Sequence, residues 1–129
     1  MLEGEFPDDV LRFIERRIDS VPHLESLLLL WENPAVAWTE SDISARVYVS
    51  RDQAQSILRD LARHGLINVT SDVSNRYSYN VAWDELHLMD KVAKTYRKHL
   101  VRLAELIHVK AGSEAVRDFA RAFKFKTED

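Results

Sequence analysis

The chain has 129 residues, the size of one domain with a single hydrophobic core and too short for two independent ones. Hydrophobic residues make up 46% and charged residues 30%, with three glycines and three prolines, so a disordered or fibrous chain is excluded and a helix-rich globular one expected. A net charge of -3 excludes a uniformly basic nucleic-acid binder, and the absence of cysteine excludes a disulfide framework, a thiolate nucleophile and a cysteine zinc site.

The opening residues MLEGEFPDD are acidic, with neither a basic nor an apolar signal region, and the longest apolar run is Leu27 to Trp31. Secretion and membrane spanning are not expected, and the reading is a cytoplasmic protein. Charge is unevenly spread. Residues 1–38 set Arg12, Arg16 and Arg17 against eight acids, a net of -5, whereas residues 39–83 balance. Residues 91–110 hold Lys91, Lys94, Arg97, Lys98, Arg102 and Lys110 against Glu105, a net of +5. The expected role of this basic stretch is to answer the acidic N-terminal segment rather than to reach DNA.

Pro7, Asp8 and Asp9 open a first amphipathic helix that ends near Asp19 and carries Val10, Leu11, Phe13, Ile14 and Ile18. Ser20 caps a second helix with Pro22 in its first turn and Leu24, Leu27, Leu28 and Trp31 on one face, and Asn33-Pro34 terminates it. Thr39 caps a short helix over about 40–47, with Glu40 and Asp42 at its positive end. Tyr48-Val49 breaks it. Ser50 then caps another helix whose Ala54, Ile57, Leu58 and Leu61 recur at helical spacing, running to about His64 before Gly65 takes a left-handed conformation.

Residues 66–70 and 76–81 are rich in β-formers around the turn formers Ser71, Asp72, Ser74 and Asn75, a hairpin with a polar tip. From Asp84 to about Lys110 no Gly or Pro interrupts a helical pattern of about 27 residues, roughly 40 Å long. Gly112 ends it, and Ser113 caps a last amphipathic helix with Ala115, Val116, Phe119 and Phe123. The predicted class is mainly α with a small β-hairpin. Its segments are an N-terminal helical extension over 1–19, a central domain over 20–83 and a C-terminal helical dimerisation region over 84–129.

Two short helices joined by a tight turn, the second followed at once by Gly65-Leu66-Ile67 and a hairpin, resemble the winged helix-turn-helix module of MarR-like bacterial transcriptional regulators. The resemblance covers about 24–82. It rests on Thr39 to Ser44 opening the first helix, on Val49-Ser50-Arg51 entering the second, and on Ile57 to Ile67 passing from recognition helix to wing. It implies a regulator that binds double-stranded DNA, with helix 51–64 in the major groove and hairpin 66–81 as the wing.

The residues of that helix support this independently. Off its apolar stripe lie Ser50, Arg51, Gln53, Gln55, Ser56, Arg59 and Arg63, together with Asp52. Arginine reaches guanine edges or phosphate, glutamine pairs with adenine, and serine reaches base or backbone. On the wing, Arg76 is placed to touch the minor groove or a flanking phosphate. The other reading of this polar face is an ordinary solvated surface, weakened as a DNA contact by Asp52 and Asp60. At the level of function the rival is a winged-helix adaptor that binds protein without DNA, which the net acidity favours.

In the long helix, Leu86, Met89, Ala93, Tyr96, Leu100, Leu103 and Ile107 recur at steps of three and four, the spacing of a coiled-coil seam, with Leu88, Val92, Leu106 and Val109 widening the face. The seam is expected to form a homodimer interface, the alternative being packing within one chain; a two-fold dimer reads a roughly palindromic site. His23, His64, His87, His99 and His108 show no metal-ligand spacing, so no metal or other cofactor is expected. No Gly-x-Ser-x-Gly, P-loop or dinucleotide fingerprint occurs, and no enzyme is expected. A small-molecule effector pocket among Trp31, Trp38, Trp83 and Tyr96 stays open beside the reading of those aromatics as plain core.

Overall fold

The structure is a computed structural model and describes residues 6–71, 75–84 and 86–110. The helix expected after Gly112, capped by Ser113, lies outside the described residues, as do the turn formers Asp72 and Ser74.

Helix α1 (Asp8–Arg17) begins after Pro7, with Asp8 and Asp9 in its first turn and Arg16 and Arg17 in its last, both matched to the helix dipole. Helix α2 (Val21–Glu32) is capped by Ser20, whose side chain accepts from the His23 N–H, and is buried nearly all round through Leu24, Leu27, Leu28 and Leu30. Helix α3 (Glu40–Val47) opens with a reciprocal capping box. The Asp42 N–H donates to Thr39 Oγ1 and the Thr39 N–H to the Asp42 carboxylate, both at 3.1 Å. Tyr48 ends α3 in a left-handed conformation (φ 62°), uncommon for a side chain of that size, and so makes the tight turn before helix α4 (Arg51–Arg63).

Gly65 (φ 74°) closes α4 in a Schellman motif. Its N–H donates to the Ala62 carbonyl at 2.9 Å and that of Leu66 to the Leu61 carbonyl at 3.1 Å. Strands β1 (Ile67–Ser71) and β2 (Asn75–Tyr79) then pair antiparallel, Ile67 opposite Tyr79 and Val69 opposite Tyr77. A third edge was not legible in the sequence: Trp38, just before α3, exchanges backbone hydrogen bonds with Tyr77 at 2.7 and 2.8 Å. This bridge fixes the hairpin to the start of α3.

The long C-terminal helix departs from expectation at two places. Residues 81–83 form a 3-10 turn, and helix α5 (Leu88–Lys98) starts four residues later than Asp84. The reason is Asp84 itself, whose carboxylate accepts from the N–H groups of Leu88 at 2.5 Å and Met89 at 3.1 Å and so acts as the cap. The Tyr79 hydroxyl donates to the same carboxylate at 3.2 Å, and burial together with the Asp84 charge holds that phenol well above its ordinary range. Replacing Asp84 by Ala is expected to cost about 1–2 kcal/mol, read as a lower urea midpoint, because two helix donors and a buried phenol lose their acceptor. A second break falls at His99, whose backbone leaves the helical region while its ring packs edge-on against Phe6 at 5.3 Å. Helix α6 (100–110) continues beyond it.

One core joins all of these elements, from Phe6 and Phe13 through Leu27, Ile43, Leu58 and Leu66 to Met89, Leu103 and Ile107. Five members of the predicted seam, Met89, Ala93, Tyr96, Leu103 and Ile107, are buried in this core of the chain itself, whereas Leu86 and Leu100 are 89% and 51% exposed. The alternating spacing therefore serves packing within one chain at those five positions. It leaves only Leu86 and Leu100 of the seven at the surface for a partner.

The basic C-terminal stretch answers the acidic N-terminal segment, as its charge suggested. Lys91 pairs with Asp9 at 2.8 Å and Arg97 with Glu32 at 3.1 Å, while Lys110 Nζ donates to the Ile14 and Ile18 carbonyls at 3.2 and 2.8 Å, filling the C-terminal acceptors of α1. The hydrogen bond from Lys91 holds the Asp9 carboxyl below its ordinary value. No described helix is long and apolar enough to cross a membrane.

Candidate nucleic-acid interface

The site is built on the outer face of α4. Ala54, Ile57, Leu58 and Leu61 turn inward and are buried, which forces the residues between them outward. Arg51, Gln55, Arg59 and Arg63 are spaced by four and are all exposed, forming one stripe about 18 Å long along the helix. Ser56 is exposed beside it.

Ser50 and Gln53 have a different position. The Gln53 N–H donates to Ser50 Oγ at 3.1 Å, and the Ser50 N–H donates to Gln53 Oε1 at 3.0 Å. Both side-chain oxygens accept in starting the helix, leaving the Gln53 amide NH2 and the Ser50 O–H as the donors of that pair that can turn outward. Arg63 is likewise engaged, donating to the Asp60 carboxylate at 2.8 Å.

The HTH turn and the wing bring further groups to the same face. Thr39, Glu40 and Ser41 at the start of α3, Arg51 and Gln55 on α4, and Asn75 on β2 line a cleft of about 270 Å³. Behind it the buried Tyr77 directs its hydroxyl to the Glu40 carboxylate at 3.4 Å. Burial and the Glu40 charge raise that phenol above its ordinary range, so it stays a neutral donor. Glu40 is the residue that sequence reasoning passed over; its place at the helix start marked it only as a dipole partner. Arg76 is exposed on β2, opposite Thr70 and next to Asn75, on the arm of the hairpin and not on α4.

Among the described residues, three of the four aromatics considered for an effector pocket line different cavities. Trp31 and Tyr96 line separate cavities, Trp83 a third, stacked on Phe13 at 5.4 Å, and Trp38 is buried under the Arg46 guanidinium, 5.5 Å away.

No protein-family model and no curated protein matches the chain. Solved structures do match it. MepR, a transcription regulator of the Staphylococcus aureus multidrug efflux pump MepA, is 15% identical, with 99% of this chain and 93% of that chain covered at a TM-score of 0.51. The S. aureus MepR–DNA complex is 13% identical over 98% of this chain and 88% of that one, again at a TM-score of 0.51. PefR, a heme sensor protein from Streptococcus agalactiae in complex with heme, is 13% identical over 94% and 81% at 0.50. The winged helix-turn-helix arrangement read from residues 24–82 is the fold that the chain shares with these structures.

Proposed function

We propose that this chain is a cytoplasmic, non-enzymatic transcriptional regulator that binds double-stranded DNA sequence-specifically, with α4 in the major groove and the β1–β2 hairpin as the wing. The observation that carries the proposal is the exposed stripe of Arg51, Gln55, Arg59 and Arg63 along a helix that follows a tight turn and is backed by a buried apolar stripe. The fold it sits on is also that of MepR, which has been captured on DNA. A recognition helix reads bases from its N-terminal end, so Arg51 and Gln55 are the base readers, Ser56 is a neighbouring polar contact, and Arg59 and Arg63 meet phosphates. Arg76 holds a flanking phosphate from the wing.

Selection of bound oligonucleotides from a random duplex pool tests this directly. Enrichment of one roughly palindromic sequence, with affinity that falls steeply as salt rises, is the expected result. Absence of salt-dependent binding to any duplex overturns the reading.

The palindrome follows from a homodimer, which we assign to the apolar surface left on the C-terminal helices. Leu100, Val101 and Val109 are 51%, 67% and 65% exposed there, and Leu86, ahead of α5, is 89% exposed. Sedimentation at micromolar concentration is expected to give twice the 15.0 kDa chain mass, and Leu100→Glu to return it to one. A wild-type chain that stays monomeric removes the dimer.

A further inference from the structure

Away from the arginine stripe, three potential metal ligands converge where the start of α2 meets α4. Asp19 lies in the link after α1, His23 in the first turn of α2, and Asp60 in the third turn of α4. One donor atom from each lies within 4.8 Å of the other two. His23 is buried, with Nε2 2.9 Å from Asp60 Oδ2, and its other ring nitrogen, Nδ1, lies 2.6 Å from the Ser20 hydroxyl. We propose that Asp19, His23 and Asp60 form a binding site for a divalent transition-metal ion of the zinc or cobalt type.

Several features fit this role. One imidazole and two carboxylates form a mixed nitrogen and oxygen set suited to ions of intermediate softness rather than to calcium or magnesium, which take oxygen alone. Ser20 is placed as the outer partner that such a histidine needs. A ring whose Nδ1–H donates to Ser20 Oγ presents the Nε2 lone pair to an ion. Asp60 turns Oδ2 to the histidine, while its Oδ1 is held at 2.8 Å by Arg63, a cation that competes with the ion for the carboxylate.

Binding places the ion between Nε2 and Oδ2 in place of their direct hydrogen bond, any proton on the ligands being released to solvent. The two atoms then part from 2.9 Å to about 3.3 Å, the separation set by tetrahedral geometry at ordinary metal–ligand lengths. Two carboxylates against the single Arg63 charge leave the carboxylate and guanidinium groups net anionic, and solvent at the exposed Asp19 supplies the remaining coordination position. Because the ligands must be deprotonated, affinity falls as pH is lowered. The ion ties the beginning of α2 to α4 and so fixes the pitch of the helix that bears the arginine stripe; that consequence, unlike the site, rests on the DNA-binding reading.

The test uses the full chain without DNA. Titration with Zn(II) by calorimetry, and with Co(II) by its visible d–d absorption, is expected to show one ion per chain. His23→Gln and Asp60→Asn, checked for folding by circular dichroism, are expected to lower affinity at least tenfold. Asp19→Asn, at an exposed position, leaves the fold intact and weakens binding less. Arg63→Ala is expected to tighten it, because the competing cation is gone, a response that a purely structural hydrogen-bond network does not produce. The four other histidines remain in His23→Gln, so they report adventitious binding. Wild-type affinity no greater than that of His23→Gln and Asp19→Asn, or a Co(II) spectrum unchanged by them, overturns the site whatever the chain does with DNA. Metal binding without any duplex binding leaves the site standing and removes only its consequence for the arginine helix.

Discussion

Replacing Arg51 and Arg59 together by alanine is expected to lower affinity for the selected duplex by roughly a thousandfold while leaving the fold intact. Arg51 occupies the first turn of α4, where a side chain reaches base edges. A bidentate contact to guanine there is worth about 1–3 kcal/mol of discrimination, so Arg51→Ala alone relaxes the preference at one base pair of each half-site. Arg59 lies about 12 Å further along the helix, where its proposed role is a phosphate contact. Arg59→Ala alone weakens all sequences alike and reduces the slope of log affinity against log salt by about one per chain, about two for the dimer. That separation exceeds the range over which mutational effects couple, so the two losses multiply. Both side chains are exposed, so urea denaturation of the double variant should match wild type. Gln53→Ala is the informative contrast. It opens the capping box with Ser50 and costs about 1 kcal/mol of stability, with a smaller change in DNA affinity at a temperature where the chain is folded. A double variant that binds as tightly as wild type removes α4 as the reading head.

What the sequence made legible follows from the range of the interactions. The caps at Ser20, Thr39 and Ser50, the left-handed Gly65 and the inward stripe of α4 are set by residues within four positions of one another, and each stands where local chemistry put it. Asp84 is a local signal that periodicity concealed. An uninterrupted helical pattern ran through it, although its carboxylate reaches forward four residues to start the helix at Leu88. The break at His99 has no glycine or proline to announce it and goes with packing on Phe6, ninety-three residues away in sequence. The C-terminal seam illustrates a different difficulty. Steps of three and four describe a face that packs on helices, and the pattern is the same whether those helices belong to one chain or to two. In the candidate site, the exposure of Arg51, Gln55, Arg59 and Arg63 followed from the helical period alone. That Gln53 completes the Ser50 cap is a local signal passed over, whereas the bridge from Trp38 to Tyr77 and the convergence of His23 on Asp60 required three dimensions, because 39 and 37 residues separate the partners.

Leu58→Ala is the expected extreme on the stability side, at about 2–5 kcal/mol, against a total of about 5–15 kcal/mol for a domain of this size. Leu58 is completely buried, on a helix that packs at once against α2, α3 and β1. Removing its isobutyl group leaves a cavity walled by elements that the Schellman turn and the Trp38 bridge keep from collapsing inward, which places the cost toward the upper part of that range. Urea denaturation should show a lower midpoint with an unchanged slope, because the surface exposed on unfolding is nearly the same. Its sequence neighbour gives the comparison: Arg59→Ala, one residue on but about 100° round the helix, is expected to fall within about 0.5 kcal/mol of wild type. Two adjacent substitutions then report on two separate properties of α4, Leu58 on how firmly the helix is held and Arg59 on what it touches. Equal destabilisation by both contradicts the division of faces, because it requires the Arg59 side chain to be packed in the interior and therefore withdrawn from any nucleic acid.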